Sequence, residues 1–156
     1  MSLAASTHEA VAQRLQDLDQ RYTPARRQVV EALAAAGRPL TMPELLAAAP
    51  ALKQSSAYRS VTVLAEAGVV DKVAGADEHS RMELAEELAG HHHHLICQCC
   101  GAVVDVAASA RLEKALAEAS AAAAELGYDV TGHRIDLVGR CAPCAGSGPE
   151  ASTGGR

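Results

Sequence analysis

The 156-residue sequence predicts an α+β fold in two parts. Three observations predict it. Helical periodicity runs in pieces from Thr23 to Gly68, period-two patterning takes over after Gly68, and a dense His/Cys run at residues 91–100 opens a β-β-α-β unit.

Thr23-Pro24 reads as an N-cap with a proline at the first helical position. Val29, Val30, Leu33 and the alanines follow at helical spacing until Gly37. Thr41-Met42-Pro43-Glu44 starts a second short helix in the same way, ending at Pro50. Ser55 or Ser56 is expected to cap a third, with Tyr58, Val61, Leu64 and Ala65 along one side and Gly68 at its end. Next come two strand candidates, Val69–Val73 and Ser80–Leu84, joined by a loop at Gly75-Ala76-Asp77-Glu78. Three helices followed by a hairpin make a winged helix-turn-helix domain over residues 1–85. Its third helix is the one able to enter a major groove, presenting Ser55, Ser56, Tyr58, Arg59 and Thr62, with Lys72 and Arg81 of the hairpin placed to reach phosphate.

Residues 86–90 read as a hinge. Beyond it lie strand His91–Cys97, strand Ala102–Val106, an Ala-rich helix from about Ser109 to Leu126 stopped by Gly127, and strand Thr131–Arg140. These make a small α/β domain over residues 91–145. The tail at 146–156, rich in Gly, Ser and Pro, is expected to be disordered.

With Phe and Trp absent and three Tyr, the core must be built from Ala, Leu and Val. No stretch approaches membrane-spanning length and no signal pattern opens the chain, so a cytoplasmic protein is expected. The net charge of −5 argues at face value against nucleic acid, but the charge is unevenly placed. Up to Lys72 there are eight Lys or Arg against seven Asp or Glu, and from Val73 onward six against twelve. Within Arg21–Arg59 the cations Arg21, Arg26, Arg27, Arg38, Lys53 and Arg59 face only Glu31 and Glu44. A basic segment joined to an acidic, ligand-rich one suits a protein that touches phosphates with one half and holds cations with the other.

Four consecutive histidines suggest an expression tag, but the run is internal and leads straight into Leu95-Ile96-Cys97. On an extended strand His91 and His93 point one way and His92 and His94 the other, so one strand can serve two metal sites. Cys97 and Cys100 form one C-x-x-C and Cys141 and Cys144 another. Together they supply the four thiolates of a closed tetrahedral structural zinc site. Cys99 is left over as a small side chain off the strand.

These residues resemble the ferric uptake regulator (Fur) family of metal-dependent, dimeric transcriptional repressors, from about Arg21 to Cys144. The matching pieces are Arg21-Tyr22-Thr23-Pro24-Ala25-Arg26, Ala57-Tyr58-Arg59 with Leu64 and Gly68, the His91–Cys100 run ending in Gly101, and the paired Cys141 and Cys144. The resemblance implies that the second half is a dimerisation domain and that the partners are a second copy and double-stranded operator DNA. It implies DNA contacts through Arg21, Arg26, Ser55, Ser56, Tyr58 and Arg59. It also implies three metal sites: structural zinc on Cys97, Cys100, Cys141 and Cys144; a regulatory site on Glu83, His92 and His94 with Asp71 or His79; and a further site on His91, His93, Glu113 and His133. Glu113 matches the family pattern only with one residue inserted before the helix.

Two departures from that pattern bear on the regulatory site. Many members place a sensing histidine in the DNA-binding domain, yet none occurs here between His8 and His79, and Arg38-Pro39 occupies the place. The zinc-responsive branch has a cysteine where this chain has Ala85. Imidazole and carboxylate alone suit Fe, Mn, Zn and Ni alike.

The expected activity is repression of palindromic operators by a homodimer whose regulatory site is filled. Metal affinity is expected to fall with acidification, because imidazole must be neutral to ligate. The alternatives are a peroxide-sensing regulator of the same family and a metal storage or delivery module without DNA binding. An enzyme is not expected: a zinc hydrolase needs an open coordination position and a general base, and nothing matches H-E-x-x-H.

Overall fold

The computed structural model describes residues 3–74 and 79–146. The expected loop at 75–78, and the expected tail beyond residue 146, lie outside the described residues. The elements run α1 (Ala5–Gln16), α2 (Pro24–Ala36), β1 (Leu40–Thr41), α3 (Met42–Ala48), α4 (Gln54–Glu66), β2 (Val70–Ala74), β3 (Ser80–Leu84), α5 (Glu86–Ala89), β4 (His92–Cys97), β5 (Val103–Ala107), α6 (Ala110–Glu125), β6 (Asp136–Gly139) and α7 (Ala142–Gly146). The α+β class with a helix-turn-helix first half and a small α/β second half is what the structure contains.

Local chemistry sets the helix starts. Thr23 Oγ1 accepts from the Arg26 amide at 3.4 Å, Pro24 sits in the first turn, and Gly37 ends α2 at φ +57. Thr41 and Glu44 form a reciprocal capping box on α3, with the Thr41 amide donating to Glu44 Oε2 at 2.8 Å. Neither Ser55 nor Ser56 caps α4. The helix begins one residue earlier, at Gln54, after Lys53 in extended conformation with no side-chain cap, which leaves both serines in the first turn.

The core of the first half is one apolar cluster built from α1, α2, α3, α4 and the wing, including Val11, Leu15, Val29, Val30, Leu45, Leu64, Val69 and Val70. The sequence reading missed α1. That helix buries Val11 and Leu15 completely, and Arg14 donates to the Gly68 carbonyl. The wing is an antiparallel sheet in the order β1-β3-β2, with Asp71 opposite Glu83 and Val73 opposite Arg81. Strand alternation therefore puts Arg81 on the face of Glu83 and Val73. Arg81 is buried there, so it is not the exposed phosphate contact that the sequence suggested.

The second sheet runs β5-β4-β6, with β4 antiparallel to β5 and parallel to β6. The expected strand Thr131–Arg140 is shorter than its pattern. Only Asp136–Gly139 join the ladder, pairing with His94–Cys97, while the preceding segment turns His133 toward Glu113. Ile96 and Val103 pack with Val73 of the wing and form the only apolar cluster of the second half among the described residues. On the opposite face Leu95, Val104 and Leu137 lie side by side across three strands and stay exposed, and α6 buries none of its residues.

Candidate metal centres

Glu86–Ala89 form the single turn α5, and Gly90 closes it at φ +91, a value that favours glycine. The chain then enters β4 with its side chains alternating, and the four imidazoles divide into two pairs.

His92 and His94 face the wing. Their Nε2 atoms lie 3.3 and 3.0 Å from the same oxygen, Glu83 Oε2. Asp105 completes the group because the β4–β5 register sets it directly opposite His94. One ligand atom from each of Glu83, His92, His94 and Asp105 lies within 4.8 Å of the others. Burial opposes the charge on Glu83, but His94 and His92 outweigh it and hold the carboxyl below its usual range. Burial likewise opposes protonation of His92, and the Gly90 carbonyl and Glu83 overcome it. Glu83 raises His94 against its burial, and Asp136 adds to the rise. The Asp105 carboxyl is raised, by burial first and by Glu83, and its Oδ1 is buried with no hydrogen-bond partner.

That orphaned oxygen beside two imidazoles and an ionised carboxylate is the arrangement a divalent cation satisfies. Asp71 and His79, expected to complete this site, do not converge on it. Asp71 stands across the ladder from Glu83 and lines the same cleft, and His79 is exposed just before β3. Arg38 lines the adjacent cavity with Asp105 and His92. Its guanidinium donates to Glu44 at 2.8 Å.

The second pair converges on the first turn of α6. His93, His91 and His133 present Nε2 to the Glu113 carboxylate at 2.8, 3.0 and 3.2 Å, so the structure brings these four residues together. Burial of Glu113 is outweighed by His93 and His91, which lower its carboxyl. Three imidazoles and a carboxylate aimed at one point suit the same class of cation.

Cys97, Cys100, Cys141 and Cys144 also come together within 4.8 Å, all as free thiols. The turn 98–101 closes on a hydrogen bond from the Gly101 amide to the Cys97 carbonyl. The Gln98 amide donates to Gly139, which draws the end of β6 alongside. The Cys141 amide donates to Cys97 Sγ at 3.3 Å. This amide and those of Cys100 and Cys99 bring the Cys97 thiol down to about 6, whereas Cys144, facing the other sulfurs, is pushed up. Four sulfurs this close cannot all ionise without a cation among them, and Zn(II) supplies that charge with tetrahedral preference.

In the first half, α4 exposes Ser55, Tyr58, Arg59 and Thr62, and Arg26, Ser56, Tyr58 and Arg59 line one surface groove with Thr23. Arg26 donates to the Arg21 carbonyl and to Gln20 Oε1, which fixes the approach to α2 beside that groove.

The ferric uptake regulator family model matches residues 17–138. The ferric uptake regulation protein of Bacillus subtilis is 35% identical over 104 residues, covering 65% of this chain and 66% of that protein, so the chain spans just under two thirds of its length. The peroxide operon regulator of the same organism is 26% identical over 148 residues, 92% of this chain and 97% of that one. The solved structure of the Helicobacter pylori ferric uptake regulator has the same fold, with a TM-score of 0.73 and 20% identity over 98% of this chain and 99% of that one. With two regulators among its relatives, a shared architecture and a family match across both halves, the chain belongs to the ferric uptake regulator family, whose members are transcription regulators and not enzymes.

Proposed function

We propose that this chain is a metal-responsive transcriptional repressor that binds palindromic operator DNA as a homodimer when its regulatory site holds a divalent transition metal (Fe, Zn, Mn or Ni). One observation carries the reading. Glu83, on the wing, meets His92 and His94, which lie beyond the hinge, on a single carboxylate oxygen. Residues 1–85 are the DNA-binding domain, 86–90 the hinge and 91–145 the dimerisation domain.

A cation in the regulatory site supplies bonds that span both domains at once. Glu83, Asp105 and the two imidazoles then favour one orientation of the reading head, so that metal and DNA each tighten binding of the other. Arg21, Arg26, Ser55, Ser56, Tyr58 and Arg59 approach the duplex from α2 and α4. Cys97, Cys100, Cys141 and Cys144 hold structural Zn(II), and His91, His93, Glu113 and His133 hold a further divalent ion. The exposed row of Leu95, Val104 and Leu137, together with the uncovered α6, supports a dimer formed through this half. The setting is the cytoplasm, where thiols stay reduced.

The all nitrogen-and-oxygen donor set of the regulatory site, with the likeness to the peroxide operon regulator, favours a second reading as a peroxide sensor. Selection of operator sequences from a random duplex pool, with Mn(II), Zn(II), Fe(II) or Ni(II) added back to chelated protein, tests the proposal. Metal-dependent enrichment of a palindrome that Glu83→Ala and His94→Ala abolish is the expected result. Equal retention of DNA by chelated and loaded protein sinks it. Loss of retention after hydroperoxide treatment of the Fe(II) form selects the second reading.

A further inference from the structure

Both imidazoles of the regulatory site have an oxygen facing each ring nitrogen, His92 at hydrogen-bond distance on both and His94 at hydrogen-bond distance on Nε2 with a carboxylate at ion-pair distance from Nδ1. His92 places Nδ1 2.8 Å from the Gly90 carbonyl and Nε2 near Glu83. His94 has the same arrangement with a different outer partner: its Nδ1 lies 3.4 Å from Asp136 Oδ1 while Nε2 faces Glu83. Asp136 opens β6, and the parallel β4–β6 register sets it directly beside His94. Both of its carboxylate oxygens also accept from Arg134 Nε, at 3.3 and 3.1 Å, so the group is anchored from its own strand lead-in. It is not one of the four residues whose ligand atoms converge.

We propose that Asp136 is a positioning residue that keeps the proton of neutral His94 on Nδ1, so that Nε2 is the nitrogen presented to a divalent transition metal. The inference rests on the reading that Glu83, His92, His94 and Asp105 form the regulatory site. A neutral imidazole carries one proton, and a ring with it on Nε2 has no lone pair to offer the site. A carboxylate behind Nδ1 settles the tautomer, fixes the ring plane and makes Nε2 a better donor. The neutral Gly90 carbonyl does the first two for His92 and adds less to basicity. His94 is thus the stronger donor of the pair. Its support comes from β6, three residues beyond the His133 that serves the other site.

The test uses the full chain with its four thiols loaded with Zn(II) and the other sites cleared by chelation. Long-range proton–nitrogen correlations of the His94 ring, taken at a pH where it is neutral and in the Glu83→Ala background, where the Glu83 carboxylate no longer competes for a proton on Nε2, should show the Nδ1–H tautomer. A His94 ring with its proton on Nε2 in that background, with Asp136 intact, overturns the proposal. Mn(II) titration, followed by the magnetic resonance signal of the free ion, reads affinity. Asp136→Ala should weaken the regulatory site roughly 10- to 100-fold and mix the tautomers. Asp136→Asn, which keeps an acceptor oxygen at the same reach, should restore the tautomer and recover part of the affinity. Affinity within twofold of the parent in Asp136→Ala, with the tautomer unchanged, overturns the proposal. Glu83→Ala separates the two failures, because Mn(II) bound undiminished in that variant rejects the regulatory site itself.

Discussion

Removing the sulfur cluster should unfold one half of the chain and spare the other. In the second half the apolar core among the described residues is Ile96 and Val103, joined by Val73 of β2. Burial of Ile96 and Val103 contributes about 3–6 kcal/mol at roughly 1.5–3 kcal/mol per side chain. Coordination of zinc by four cysteines in small domains contributes on the order of 10–16 kcal/mol near neutral pH. The metal term is the larger. Cys97→Ser breaks it at the sulfur that receives the Cys141 amide, where the hairpin turn and the end of β6 meet. Hydrogen exchange read residue by residue is the assay. Amides of β4, β5 and β6 should lose protection in Cys97→Ser or after zinc chelation, while those of α2 and α4, over the larger cluster of Val29, Val30, Leu45 and Leu64, keep theirs. Full protection of β4–β6 in a variant shown by elemental analysis to lack zinc would mean that packing, not coordination, holds this half.

Three further outcomes follow from the first half. Thr41→Ala removes the capping box and should cost about 1 kcal/mol by urea denaturation; an unchanged midpoint contradicts the cap. Burial opposes ionisation of Glu44, but the Thr41 amide, Arg38 and the Thr41 hydroxyl bring its carboxyl from 4.5 down to about 2. A depressed folded value stabilises above the unfolded value and is lost on acidification. The stability gap between the parent and Glu44→Gln should therefore be full above about 4.5 and close as the pH falls toward 2; a gap that widens in acid refutes the assignment. Arg59→Ala should weaken operator binding and, if the guanidinium meets a phosphate, lower the salt slope by about 0.9. Anisotropy titrations at several salt concentrations check it, and an unchanged affinity removes Arg59 from the interface.

The sequence revealed whatever depended on strand alternation and short spacing. The division of His91–His94 into two pairs needs only an extended backbone, and the two C-x-x-C pairs need only a return of the chain. Asp105 was missed because its place depends on hairpin register. With the turn at 98–101, Cys97 closes onto Ala102 and His94 falls opposite Asp105, a relation that appears only once the turn length is known. The placing of Arg81 failed for a reason the same alternation could have supplied. A strand that turns Glu83 toward the histidines turns Arg81 the same way, onto the buried face. Two short features carried no usable period: β1 is two residues long, and α1 buries only Val11 and Leu15.

The convergence of Glu83, His92, His94 and Asp105, proposed above as the regulatory site, also suggests why a metal should outdo protons as its occupant. Two imidazoles aimed at Glu83 Oε2 satisfy that carboxylate when they are protonated, and the raised His92 and His94 with the lowered Glu83 describe that state. Protons on those rings favour the Asp105 charge through space but give its Oδ1 no hydrogen bond, and that oxygen stays buried and unpaired. A cation that bonds both rings and both carboxylates removes this cost, and a proton cannot. Asp105 belongs to β5 and Glu83 to the wing, so the added satisfaction comes only when the halves are in contact. A coupling of the usual 1–3 kcal/mol between metal and orientation needs no more than one such buried group relieved in the closed arrangement and exposed to water in the open one.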